Sequence, residues 1–184
     1  QAAVEDAGIN PTSIDECVMG CVLQAGVGQN PSRQAGLKAG LPNTLSAVTI
    51  NKVCGSGLQA VMQAAQSIKA GDTNIVVAGG MENMSNAPHL AHVRSGIKFG
   101  EGKLIDHMQY DGLTCPFENW GMGCAAEWTA EEFTISREDQ DAYSAQSHQR
   151  ATHATKEGWF DAEHITLQAA QVKQRADVMQ DEGV

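Results

Sequence analysis

Between residues 16 and 80, short apolar runs rich in β-branched residues alternate with segments of helical period. CVMGCVL (17–23), SAVTIN (46–51) and TNIVVAGG (73–80) read as strands, with NPSRQAGLKAG (30–40) and GLQAVMQAAQSIKA (57–70) as helices between them. Strands and helices alternating at these lengths predict βαβ units and a parallel sheet. The punctuation agrees. Asn30 is placed to cap a helix that begins at Pro31, Gly40 to follow its last turn, and Gly71 to stop the next helix. Within 57–70, Leu58, Val61, Met62, Ala65 and Ile68 recur at helical spacing. Ahead of this block, QAAVEDAG reads as the last turns of a helix stopped by Gly8, and Asn10-Pro11 as a turn or helix start.

From Met81 the character changes. Residues 81–120 scatter Gly, Pro and His with little periodicity, and a stretch that long inside a compact domain is usually functional or an insertion. Helices resume near 123–133 and after Ser136, where SRED matches a capping box with Asp139 in the reciprocal position. That helix is expected to run to Gly158, with WFDAEHITLQ closing as loop and strand. The C-terminal QVKQRADVMQDEGV completes no pattern. Together with the unstarted first helix it reads as a piece of a longer chain.

A 42% hydrophobic content over 184 residues supports a real core. No run approaches the ~20 apolar residues of a membrane helix. A formal charge of −10 without a Lys/Arg cluster argues against nucleic acid and anionic membranes as partners. It leaves room for an anionic small molecule in a local basic pocket. Five scattered cysteines read as free thiols of a reducing compartment, not a disulfide framework. Cys17 and Cys21 lack a second pair at ligand spacing, as do His89 and His92, so no metal site is expected.

The run TINKVCGSGLQAV (49–61) sets Cys54 between a strand and a helix. That is where ligands bind in open parallel sheets. Unpaired N–H groups at the helix start favour anions, and so the thiolate form of a cysteine. Backbone N–H groups there can also hold a developing oxyanion, which suits acyl transfer by a cysteine nucleophile. Gly55 and Gly57 leave the corner free of side chains for a sharp turn and a close approach. Two other readings compete. A free cysteine is commonly a buried core residue. Gly55, Gly57 and Ala60 also satisfy the dinucleotide pattern G-x-G-x-x-G/A. The acid that pattern requires should end the next strand, and Glu82 lies beyond Gly79-Gly80, too far along.

NKVCGSGLQAVMQAAQSIKAGDTNIVVAGGMENMSNAPH and GIKFGEGKLIDHMQYDGLTCPFENWGMGCAAEWTAEEFTISREDQDAYSAQS closely resemble thiolase segments, and the similarity covers nearly the whole chain. HLAHVRSGIKFG resembles the acetoacetyl-CoA-forming branch more than the long-chain degradative one. The resemblance implies an α/β thiolase-like fold: an N-terminal half over 1–83 and a partial, mainly helical loop domain over 84–184. It implies that Cys54 is the nucleophile and its backbone N–H one oxyanion donor. It also implies that Leu113 and Met122 line the pantetheine channel. Gly121 departs from the pattern, since many thiolases carry histidine there. The family's activating His, second Cys and Asn belong to a C-terminal half outside this sequence. His89, His92 and His107 are implied to lie in a tetramerisation loop, and Cys115 and Cys124 to be ordinary thiols.

The activity implied is condensation of two acetyl-CoA molecules to acetoacetyl-CoA and CoA, or the reverse thiolysis, with CoA thioesters as substrates and no cofactor. A homotetramer is implied, with a cytoplasmic setting and mitochondrial or peroxisomal ones left open. The alternatives are a degradative 3-ketoacyl-CoA thiolase, a ketoacyl synthase, and a folded or assembly module without catalysis.

Overall fold

The computed structural model describes residues 1–172, 176–181 and 183. The remaining residues of the patternless C-terminal stretch lie outside that description. The chain divides into two compact units, Gln1–Met122 and Gly123–Val184.

The first unit is built on three parallel strands in the order β2-β1-β3: β1 (Glu16–Gly20), β2 (Ser46–Ile50) and β3 (Val76–Gly80). Glu16 pairs with Ser46 on one side and Val76 on the other, and Gly20 with Ile50 and Gly80. The expected alternation is therefore a true βαβ arrangement, with α2 (Pro31–Lys38) and α3 (Ser56–Ala70) as the connecting helices. A short α1 (Ala2–Asp6) precedes the sheet, followed by Gly8 at φ +63°. Val4, Ile14, Cys17, Leu41 and Leu45 form the core cluster, with Met19, Ala47 and Val77 packed against it.

Side chains stitch α2 to the strands. Asn30 caps it by accepting the Arg33 N–H at 3.3 Å, and its own amide donates to the Ala47 carbonyl at 2.9 Å. Ser32, fully buried, donates its hydroxyl to the Cys17 carbonyl at 2.9 Å. The Asn30 cap satisfies a donor that a helix N-terminus leaves orphaned. Gly40 at φ +89° and Gly71 at φ +84° terminate α2 and α3 in the left-handed region, as glycine allows.

Two expectations are corrected. β1 ends at Gly20, not Leu23. The N–H groups of Val22 and Leu23 leave the ladder and donate instead to the Glu82 carboxylate, at 2.9 and 3.0 Å. Residues 159–168 form no strand; the described residues there are turns and coil, with one isolated bridge from Leu167 to Val178. The large apolar residues of α3 lie on its outer face. Ser56, Ala60 and Ala64 are its buried face, while Leu58, Val61, Met62 and Ile68 are exposed. Small residues let the helix lie close on the strands.

The irregular stretch after Met81 carries a two-stranded antiparallel pair, β4 (His89–Leu90) and β5 (Ile105–Asp106). A π-helical turn, Met108–Leu113, follows. The second unit holds α4 (Met122–Glu132), which starts at the boundary residue, then α5 (Arg137–Lys156) and α6 (Ala169–Val172). Ser136 caps α5 by accepting the Asp139 N–H at 3.1 Å. Asp139 answers by accepting the Ser136 hydroxyl at 2.7 Å, so it does not reach back to the backbone as a full capping box would. Among the described residues no helix is long and apolar enough to cross a membrane.

Candidate active site

Cys54 lies in the turn from β2 to α3, and its side chain is exposed. The turn is held from several directions. The Asn51 side chain accepts the Val53 N–H at 2.9 Å. The buried Ser56 hydroxyl accepts the Lys52 N–H at 2.8 Å and donates to the Val53 carbonyl at 2.6 Å. The N–H groups of Gly55 and Ser56 bond back to the Lys52 and Val53 carbonyls, both at 3.1 Å. Val53 sits at φ +49°, an outlier for a β-branched residue. Such strain costs on the order of 1–3 kcal/mol and persists only where the surroundings over-determine it. The result is a thiol presented on a sharp strand-to-helix corner. The N–H of Cys54 itself has no hydrogen-bond partner among the described residues.

The glycines of this corner act differently from the expectation. The left-handed residue is Val53, while Gly55 has φ −87°. A Cβ on Gly55 would meet only Lys52, at 3.5 Å or more, which is ordinary contact. Gly57 instead faces the ends of the strands. A Cβ on Gly20 would lie 2.6 Å from the Gly57 nitrogen, and one on Gly80 would lie 3.2 Å from the Gly57 Cα. Gly20, Gly57 and Gly80 thus let the first turn of α3 rest on the ends of β1 and β3. This gives the G-x-G spacing a packing reason.

Beside Cys54 opens a cleft of about 210 Å³. Val22 and Leu23 line one side of it, Met108, Gly112 and Leu113 another, and Val53, Glu82 and Met84 complete it. Apart from Glu82 and the thiol its lining is apolar. Two of the three residues singled out by resemblance, Cys54 and Leu113, meet here. Met122 does not line this cleft; it begins α4 just beyond the bridge between Thr114 and Gly121. A larger cavity of about 350 Å³, bordered by Lys103, Tyr110 and Gly121, holds no thiol. A Cβ on Gly121 would meet only the Leu113 carbonyl, at 4.0 Å, so the backbone there leaves room for a Cβ.

Two polar side chains fix the walls. Glu82 accepts the Val22 and Leu23 N–H groups and lies 3.7 Å from the Cys21 sulfur. Burial, then the neighbouring Glu82 carboxylate, push the Cys21 thiol above its ordinary range, so it remains neutral. His107 is only 6% exposed. Its Nδ1 lies 2.5 Å from the Asp111 carboxylate, and its Nε2 accepts the Ala25 N–H at 3.3 Å. Since Ala25 can only donate, the ring proton belongs on Nδ1, facing Asp111. Neither role was legible in the sequence. Glu82 and His107 act on partners about 60 and 82 residues away. The serine at 56 carried the one local signal, a hydroxyl at a helix start.

The chain matches the family model described as thiolase, N-terminal domain, over residues 1–184. It is 49% identical over 183 residues to a probable acetyl-CoA acyltransferase of Staphylococcus aureus, covering 98% of this chain and 47% of that protein. It is also 49% identical over 179 residues to the cytosolic acetyl-CoA acetyltransferase of Rattus norvegicus, covering 97% of this chain and 45% of that one. Among solved structures, the Acat5 thiolase of Ascaris suum in complex with coenzyme A superposes with a TM-score of 0.89 at 39% identity. The superposition covers 98% of this chain and 46% of that one. The chain thus spans just under half the length of the relatives it matches. With its parallel sheet, its corner cysteine and these relatives, the chain belongs to the thiolase family and has the fold of that family's N-terminal domain.

Proposed function

We propose that the full-length protein carrying this chain is an acyl-CoA acyltransferase that works through a thioester on Cys54, condensing two acetyl-CoA molecules to acetoacetyl-CoA or running the reverse thiolysis. The observation that carries this reading is the exposed thiol of Cys54 on a pinned strand-to-helix corner, beside a small apolar cleft. Cys54 attacks the thioester carbonyl, and the unpartnered Cys54 N–H supports the developing oxyanion. In the condensation direction a proton reaches the departing sulfur, CoA leaves as the thiol, and the acyl group passes from Cys54 to the carbanion of acetyl-CoA to give acetoacetyl-CoA. In thiolysis Cys54 instead attacks the 3-keto carbonyl of acetoacetyl-CoA, the C2–C3 bond breaks so that acetyl-CoA departs as a carbanion and takes a proton, and the CoA thiol then gives up its proton and carries the acetyl group off Cys54.

Leu113 lies on the wall of the cleft, where it would meet the acyl or pantetheine chain. Met122, at the head of α4, is proposed for the same channel farther from the thiol. The general base, the second proton-moving cysteine and the other oxyanion donor are proposed to come from outside residues 1–184. The assembly is proposed to be a homotetramer. A cleft of about 210 Å³ favours a short acyl group.

Steady-state kinetics of the full-length protein on 3-ketoacyl-CoA thioesters of increasing chain length test this. The highest kcat/KM is expected for acetoacetyl-CoA. A maximum at a long chain would assign the protein to degradative thiolysis.

A further inference from the structure

We propose that His107 is a positioning residue for the Cys54 cleft, holding the Leu23 wall and the Leu113 wall at a fixed separation. The inference rests on reading the cleft as an acyl-thioester site, and it deepens that reading. Leu23 belongs to the segment that leaves β1, and Met108, Gly112 and Leu113 belong to the π-helical turn. These two segments are far apart in sequence. His107 immediately precedes the turn, and Ala25 lies two residues past Leu23. The bond from the Ala25 N–H to His107 Nε2, at 3.3 Å, ties one wall to the other.

Everything around the imidazole fixes its direction. Asp111, inside the turn, takes the Nδ1 side at 2.5 Å. The backbone N–H of His107 donates to the Pro88 carbonyl at 3.1 Å, which anchors the residue that carries the ring. The walls also run close together at Gly112, where an added Cβ would lie 3.3 Å from Leu23 Cδ2. Glu82 grips the Val22 and Leu23 N–H groups from the β3 side, so the segment is held at both ends. A buried histidine that is not itself part of the cleft lining, yet joins the two walls, acts through geometry. It sets the width of the slot that an acyl group must enter.

The test uses three variants of the full-length protein. His107→Gln places an amide oxygen where Nε2 accepts. His107→Asn retains a donor for Asp111 but is too short to reach Ala25. His107→Ala removes both contacts. KM and kcat are measured with acetoacetyl-CoA, alongside thermal melting. The alkylation of Cys54 by iodoacetamide and by the bulkier N-phenylmaleimide is followed by peptide mass spectrometry.

Loss of one neutral hydrogen bond predicts that His107→Asn raises KM ~5–10-fold with kcat changed less, and that His107→Gln returns KM to within ~3-fold of wild type. The ratio of N-phenylmaleimide to iodoacetamide rates should rise in His107→Asn and His107→Ala and stay near wild type in His107→Gln. If all three variants lose melting temperature and activity in parallel, without rescue by glutamine, His107 is a packing residue and the proposal is overturned. An unchanged alkylation ratio in His107→Asn also overturns it. Should the wild type turn over no acyl-CoA while the ratio still moves, the acyltransferase reading fails and the positioning role stands.

Discussion

Cys54 owes its presentation to neighbours that do no chemistry. The Ser56 hydroxyl joins both ends of the turn, and Val53 is held at φ +49° in consequence. Removing that hydroxyl leaves the Lys52 N–H without its acceptor in a part-buried place. Ser56→Ala is therefore expected to destabilise the protein by ~1–3 kcal/mol, read from the urea midpoint at constant m-value. It should also lower kcat/KM, because Val53 is freed to leave its strained conformation and Cys54 to turn from the cleft. Unchanged activity with lost stability would restrict Ser56 to a structural role. At this scale the sequence was only partly legible. A lone thiol before Gly-Ser-Gly pointed to Cys54, the nucleophile proposed above. The strained residue escaped notice because valine, not glycine, takes the left-handed conformation. Glu82, too far along to serve the dinucleotide pattern, clamps the exit of β1.

The elements were more legible, because their signals are local. Asn30-Pro31 opens α2, Gly40 and Gly71 close α2 and α3, and β-branched runs mark β2 and β3. What failed was the end of β1, where apolar character continues through Leu23 but the ladder stops at a carboxylate supplied from beyond β3. The β1–β3 pair offers a pH test of similar origin. Asp15, just before β1, accepts the Asn74 and Ile75 N–H groups at 2.7 and 3.1 Å. Those two donors hold its carboxyl below the ordinary value of 3.8. A carboxyl depressed in the folded state contributes stability that is present above its unfolded value and lost as pH falls through the folded one. Stability of wild type should therefore fall on acidification through and below 3.8 more steeply than that of Asp15→Asn. Chemical denaturation across that window checks this, and parallel curves would contradict it.

For the whole molecule, the exposed apolar surface is informative. Leu58, Val61, Met62 and Ile68 form an uncovered face of α3. In the second unit Ala154 is the only buried hydrophobic residue among those described, while Trp128, Phe133, Tyr143 and Trp159 are exposed. Surfaces of this kind are usually covered in a functional protein. Residues 1–184 expressed alone are expected to bind a hydrophobic dye and self-associate, and to show no measurable acetoacetyl-CoA cleavage. Without general acid–base help, worth ~10²–10⁴ in rate per group, Cys54 would at most acylate slowly. Turnover by this segment near that of the full-length protein would mean that its own histidines supply the base. The central claim, an acyl group carried on Cys54, is tested most directly by quenching the full-length protein after brief mixing with acetyl-CoA and mapping the acetylated peptide by mass spectrometry. The account predicts an acetyl thioester on the peptide containing Cys54, none on those of Cys17, Cys21, Cys115 or Cys124, and none at all in Cys54→Ser. An acetyl group on another residue, or undiminished turnover by Cys54→Ser, would contradict it.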